Sequence, residues 1–270
     1  MPRSPWKRAS GRFARRAVLL PVAAALMASG AFAQPVPDGD RIFIGHALFR
    51  AQSPNDMRAI TIMDDEVIRF TVAPGEQWAR DANRGSNAER AEMSAHEKIR
   101  FGERTSVSFA MRIASMDNSP GRRHSLLFQL HGPNRTEMKG IEGFAPPPFD
   151  MRVRNGKIHF VVRSGSLERG EDKDRIIASI PVEYSRWQDF RFDINLGDES
   201  SGQVKIWRDG TRIADYSGPV GYEVGKGAHY WKFGIYQYGQ RTAPSVVDFG
   251  RVNVNGKGSL LQHERDVARR

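Results

Sequence analysis

The chain has 270 residues, no cysteine and a formal charge of +10, with 41 Lys and Arg against 31 Asp and Glu. The missing cysteines exclude thiol nucleophiles, thiolate metal sites and disulfide chemistry. Six of the cations and none of the acids fall in the first 33 residues, which leaves 35 cations against 31 acids, near +4, in the other 237. A nucleic-acid role argued from the high isoelectric point would therefore rest on the leader, and no nucleic-acid partner is expected.

That first segment has the order of an export signal. Arg3, Lys7, Arg8, Arg12, Arg15 and Arg16 precede an apolar run from Ala17 to about Met27, and Ala31-Phe32-Ala33 stands just before Gln34. Charge, apolar run and A-x-A make a secretory signal peptide over residues 1–33. The run is too short, and too interrupted by Pro21, for a membrane span. The product is expected to be exported, periplasmic or secreted, with no membrane attachment after cleavage. Arg15-Arg16 leaves the Sec and Tat routes equally open. The remaining 237 residues can bury a core large enough to stand without disulfides.

From Arg41 onward the period is two. Val107, Phe109, Met111 and Ile113 alternate with Ser106, Ser108, Ala110 and Arg112, and Phe190, Phe192, Ile194 and Leu196 alternate with Asp189, Arg191, Asp193 and Asn195. Asn155-Gly156 and Asp209-Gly210 each sit between two such runs, and both dipeptides accept the positive φ angles of a type I′ hairpin turn. About ten to thirteen strands are expected. The weak helical candidate, Asn87–His96, reads better as a strand entering a loop. Many short strands without βαβ alternation predict an all-β fold, an antiparallel sandwich or jelly roll forming one domain over residues 34–270. Pro146-Pro147-Pro148 marks a stiff loop, Glu168–Arg175 a charged loop, and Gln262–Arg270 a polar tail.

Three segments carry the chemistry. In His229–Tyr238, Trp231, Phe233 and Ile235 form a core set, and Tyr230, Lys232, Gly234, Tyr236 and Tyr238 form an outward set. The glycine is expected to leave room for a ligand to lie close. In Ser125–His131, Leu126, Phe128 and Leu130 are expected inward and Leu127, Gln129 and His131 outward. In Glu89–Met93, Arg90 and Glu92 share a face, and Arg suits bidentate capture of a carboxylate. The plainer reading of Glu89, Arg90 and Glu92 is a surface ion-pair cluster. A lone outward His is most often a surface His; the company of Gln129 and the Tyr/Lys strand points instead to a site.

Arg90-x-Glu92, Gln129-Leu-His131-Gly132 and Tyr230-Trp-Lys-Phe-Gly-Ile-Tyr236, in that order, resemble the heparin lyase-like polysaccharide lyases. Glucuronan lyases and, more distantly, the jelly-roll alginate lyases share the pattern. Trp187–Phe192 and Gly202–Gly210 also fit it, so the resemblance runs from Arg41 to Val254. It implies β-elimination on an anionic, uronic-acid polysaccharide. The C5 proton is weakly acidic, so the adjoining carboxylate must be neutralised; Gln129 and Arg90 match that role. His131 and Tyr236 match the proton-transferring pair, with base and acid depending on the epimer cleaved. Lys232 is expected to anchor substrate rather than tune Tyr236. Tyr230 and Tyr238 are candidate sugar platforms, and Arg135, with Arg122-Arg123, is a candidate for steering the anionic chain.

No cofactor is needed for this chemistry. The resemblance leaves open a structural calcium, with Asp248 or Asp64-Asp65-Glu66 as candidate ligands. The His residues lack zinc-enzyme spacing. A monomer is expected. Two other classes compete: a lectin-like module with no chemistry, and a sandwich glycoside hydrolase. The latter needs two carboxylates about 5–10 Å apart, often as E-x-D-x-E, and that triplet is missing. Glu168, Glu171 and Asp172 sit in the charged loop. The mild basicity favours an unsulfated uronan over a sulfated chain.

Overall fold

The computed structural model describes residues 33–54, 57–117, 124–133, 146–165, 174–222, 228–238 and 241–263. Strands β1 (Gln34–Pro35), β2 (Arg41–Ile44), β3 (Ala47–Gln52), β4 (Ile60–Ile62) and β5 (Val67–Val72) come first. A one-turn helix, α1 (Ala79–Ala82), precedes β6 (Ala88–Ala95), β7 (Arg104–Ser115) and β8 (Ser125–His131). Next come β9 (Phe149–Arg154), β10 (Lys157–Val162), β11 (Arg175–Pro181), β12 (Gln188–Asn195) and β13 (Gln203–Arg208). The last are β14 (Thr211–Ser217), β15 (Tyr230–Tyr238), β16 (Ser245–Val254) and β17 (Leu261–His263).

Among the described residues, seventeen strands make two antiparallel sheets, ordered β1-β4-β5-β16-β7-β12-β13-β14 and β11-β10-β9-β8-β15-β6-β3-β2-β17. The excess over the expected ten to thirteen lies in short strands such as β1, β4 and β17, of two or three residues, too brief to show a period. Both I′ turns form: Asn155 and Gly156 have φ of 51° and 73°, Asp209 and Gly210 49° and 77°. Ala88–Ala95 is a strand, as its alternation indicates, and α1 carries no apolar repeat that would announce it. No helix among the described residues is long and apolar enough to cross a membrane.

The core lies between the sheets and is rich in phenylalanine. Phe109 of β7 stacks on Phe128 of β8 at 4.7 Å, and Phe70 of β5 meets Phe233 of β15 edge-on at 5.5 Å. Trp231 is 1% exposed, and its indole N–H donates to Thr105 Oγ1 at 2.9 Å. Such ring pairs add about 0.5–1.5 kcal/mol each beyond the area they bury. Every inward residue that couples the sheets fixes an outward neighbour on its strand, so this core sets the register of the outer faces.

Candidate active site

β15 is the centre of the nine-stranded sheet, between β8 and β6. Its register pairs Tyr230 with His131, Lys232 with Gln129, and Tyr236 with Arg90. Three segments far apart in sequence thus place their outward residues on adjacent strands. Arg90, Gln129, His131, Lys232, Tyr236 and Tyr238 all line one cavity of about 220 Å³. Tyr230 is outside that lining. It is buried and stacks on the His131 ring at 4.8 Å, with Lys98 Nζ over its ring at 3.9 Å. Arg135, Arg122, Arg123, Glu168, Glu171 and Asp172 lie outside the described residues.

Two local readings need correction. β8 is bulged between Leu126 and Phe128, so Leu127 enters the core and Leu126 turns to the cavity, the reverse of simple alternation. Gly234 makes room for the protein's own backbone rather than for a ligand. Its φ is +130°, and a Cβ there would stand 2.3 Å from Ala91 O and 2.9 Å from Glu92 Cα.

Glu89 and Glu92 are no surface cluster either; they are 1% and 2% exposed. Glu89 accepts from Gly75 N at 2.7 Å and Gln237 Nε2 at 3.0 Å. Glu92 joins three of the residues singled out above. Its Oε1 accepts from Gln129 Nε2 at 2.7 Å, its Oε2 lies 2.5 Å from Lys232 Nζ, and Arg90 Nη1 is 3.3 Å away. One buried carboxylate therefore orients the amide, the ammonium and the guanidinium. Burial works against its charge, but Lys232 and Arg90 prevail and hold its pKa below the ordinary value.

Arg90 is clamped as well. Its guanidinium lies over the Tyr236 ring at 4.5 Å and the Trp78 ring at 5.1 Å, and its Nε is 2.6 Å from Asp81 Oδ2 of α1. Such a sandwich fixes a planar cation at low entropic cost. Burial pushes the pKa of Lys232 down to about 8, against the pull of Glu92.

His131 and Tyr236 have defined protonation states. Burial, then the charge of Lys232, pushes the His131 pKa down to about 3, so the ring is neutral at ordinary pH. Its Nδ1 lies 2.7 Å from Gly132 O, and because a carbonyl only accepts, Nδ1 carries the proton and Nε2 the lone pair. Tyr236 has the opposite bias. Burial and the neighbouring Tyr238 hydroxyl raise its pKa above the ordinary value, so it keeps its proton. The cavity thus holds a neutral imidazole and a protonated phenol.

The far wall was not visible in the sequence. Asp150, 0% exposed, is gripped by Arg152 at 2.5 Å and by Arg163 at 2.6 Å. Both arginines also bond Asp174, and Arg163 donates to Pro147 O at 2.6 Å. Burial outweighs the opposing pull of Arg163 and raises the Asp150 pKa to about 6. His124 lies beside this group, and burial lowers its pKa. The alternation of Phe149–Arg154 was the available signal, since it puts Asp150 and Arg152 on one face.

No group of three or more His, Asp or Glu arranged for a metal occurs among the described residues. Asp248 is 0% exposed and held by Arg69 at 2.7 Å and Arg112 at 2.6 Å, so its charge is already matched and it does not suit a calcium ion. Asp64 caps the turn at Glu66 N, and Glu66 accepts from Ser259, which gives this cluster a structural part in the β4–β5 turn.

The fold resembles several solved lyases. An endo-β-1,4-glucuronan lyase from the fungus Trichoderma reesei superposes with a TM-score of 0.57 at 14% identity, over 84% of this chain and 95% of that one. A family 7 alginate lyase in complex with substrate gives 0.55 at 12%, over 80% and 94%. An alginate lyase from Pseudomonas aeruginosa gives 0.52 at 16%, over 73% and 86%. At these identities the likeness is one of fold. No curated protein sequence matches the chain. The family model described as polysaccharide lyase matches residues 38–248, well over half of the chain and inclusive of the whole Arg90–Tyr236 constellation, and the protein therefore belongs to that family and is a polysaccharide lyase.

Proposed function

We propose that the enzyme cleaves an unsulfated uronic-acid polysaccharide by β-elimination, with His131 as base and Tyr236 as acid. The observation that carries this is the pair of protonation states: a neutral imidazole with its lone pair on Nε2 and a phenol held in its protonated form, lining one cavity. His131 removes the C5 proton, the C4–O4 bond breaks with transfer of the Tyr236 proton to O4, and a C4=C5 double bond remains on the new end.

The carboxylate on C5 must be met by donors as charge builds on it. Glu92 takes one N–H of the Gln129 amide and leaves the second for a substrate oxygen. Arg90 and Lys232 add positive potential from beside it. Lys232 acts here through the buried network rather than as an exposed anchor. Tyr238 is the remaining platform for a sugar ring, and Tyr230 contributes by backing His131.

The charge pattern supports an unsulfated chain. Among the described residues, the four cations that line the cavity are matched: Arg90 by Asp81 and Glu92, Lys232 by Glu92, Arg152 and Arg163 by Asp150 and Asp174. A sulfated chain carries more charge per sugar than a uronan with one carboxylate on each, and gains correspondingly more from unmatched cations in the cavity. Glucuronan is the favoured polymer, since a glucuronan lyase is among the structural neighbours; alginate and heparin-type chains are the alternatives. Residues 1–33 are read as a cleaved export signal, and Gln34 as the N-terminus of the mature product.

The test is a screen of polyglucuronate, alginate and heparin for rising ultraviolet absorbance from the new double bond. A rise on polyglucuronate, abolished in His131→Ala, is the expected result. Binding without absorbance on every polymer would establish a lectin-like module instead.

A further inference from the structure

The outer face of the eight-stranded sheet, opposite the catalytic cavity, is not a uniform polar surface. β7 lies inside that sheet, between β16 and β12, and its outward residues Ser106, Ser108 and Ala110 are small. The register aligns each with longer neighbours: Asp193 and then Lys205 beside Ser106, Arg191 and then Trp207 beside Ser108. The small residues floor a trough, and β12 and β13 raise one wall of it. Two adjoining depressions of about 610 and 360 Å³ result, with Arg191 common to both.

The opposite wall depends on a distortion. β16 leaves register with β7 between Gly250 and Asn253, and Arg251 takes a left-handed φ of 50°, which a non-glycine residue rarely adopts. Arg251 N bonds Glu66 O at 3.0 Å, which holds the bulge. The result re-aims Arg251 over the trough, where its exposed guanidinium meets Asp189 at 2.8 Å.

Four cations line the two depressions, Arg104, Arg191, Lys205 and Arg251, against two acids, Asp189 and Asp193. Arg191 and Arg251 are paired with those acids, whereas Arg104 and Lys205 make no ion pair among the described residues. The four cations that line the catalytic cavity among the described residues are each matched, whereas Arg104 and Lys205 give the trough positive charge beyond its two acids. Trp207 borders the trough with Arg191 over its ring at 5.0 Å, an aromatic edge of the kind on which sugar rings pack.

We propose that this trough is a second, non-catalytic site that holds another stretch of the anionic polysaccharide substrate. The occupant follows from charge complementarity and from the aromatic wall, and it rests on the uronate reading of the catalytic site. From Arg104 to Ala110 the trough extends roughly 20 Å along β7, enough for several sugar units. Holding one part of a long chain raises the effective concentration of the rest at the cavity, and short oligosaccharides gain nothing.

The experiment compares Arg104→Ala/Lys205→Ala/Trp207→Ala with wild type and with Lys157→Ala, which removes a cation from the other sheet. Kinetics are measured on long-chain polyglucuronate and on its tetrasaccharide, and retention by gel-immobilised polyglucuronate is measured in a His131→Ala background. The triple variant should show a several-fold higher KM on polymer, unchanged tetrasaccharide kinetics and lost retention, with Lys157→Ala as wild type. Unchanged polymer KM and retention, equal losses on both substrates, or the same effect from Lys157→Ala would overturn the second site. Should wild type cleave nothing, retention that still depends on the trough would refute the lyase chemistry on this polymer while leaving the outer site standing.

Discussion

Lys232 Nζ stands 2.5 Å from Glu92 Oε2, and each side chain is 2% exposed. Removing one member of such a pair leaves the other buried and uncompensated, at a cost of about 3–5 kcal/mol. Glu92→Gln and Lys232→Met should each lower the unfolding free energy by that amount, read from urea titrations. The double variant should recover much of the loss, because an amide and a thioether can be buried without a charge. Equilibrium unfolding of the four proteins gives the coupling directly; additive losses would mean that the pair is not a unit.

The pH dependence has two distinct sources. His131 titrates near 3, so kcat/KM should show no acid limb at the 6.5 of an ordinary histidine. Lys232, pushed to about 8, should produce the alkaline limb, since its deprotonation removes positive potential beside Gln129. Lys232→Met should lower kcat/KM and abolish that limb. An acid limb near 6.5 that disappears on changing another residue would contradict the assignment of the base.

The same histidine affects stability in a known direction. Its folded pKa lies below the ordinary 6.5, so between about 3 and 6.5 the unfolded chain binds more protons and stability falls as the pH falls. In His131→Ala the contribution to that slope is gone. Urea titrations of the two proteins at pH 7 and pH 4.5 should show the smaller decline in the variant.

Tyr236→Phe removes the hydroxyl proposed as the acid and keeps the ring. Because Arg90 stacks on the ring at 4.5 Å, the clamp survives and the fold should be unchanged. The loss of a general acid is worth about 10²–10⁴ in rate. Single-turnover rates and oligosaccharide binding together separate a loss of chemistry, which is expected, from a loss of affinity.

Gly234→Ala tests the close approach of β15 and β6. A methyl group would meet Ala91 O at 2.3 Å in a region of φ that L-residues avoid. The strand must shift or the backbone must twist, at a cost of about 1–3 kcal/mol for the conformation alone. Thermal unfolding should fall accordingly, and activity should fall with it, since Lys232 and Tyr236 flank the position.

Much of the architecture could be read locally. Alternation in Ser106–Ile113 and Asp189–Leu196, with the I′ turns at Asn155-Gly156 and Asp209-Gly210, identifies strands and faces because side-chain direction in a strand depends on the residue's own parity. Arg90, Gln129, His131, Lys232 and Tyr236 were reachable for the same reason, once the spacing of their segments was seen to resemble the lyases. All five came together on three adjacent strands.

What parity cannot reveal is who the neighbour is. The bulge that swaps Leu126 and Leu127, the strand backbone beneath Gly234 and the burial of Glu92 between Gln129 and Lys232 all depend on pairing across many residues of chain. The same holds for the Trp78 and Asp81 contacts of Arg90, and for Asp150 with Arg152 and Arg163. The sequence by itself determined the longer strands, the I′ turns and, outside the bulge of β8, which residues face outward, since those follow from local backbone geometry. The tertiary structure decided which charges are matched and which groups hold their protons, since burial and Coulomb interaction are properties of the assembled sheets.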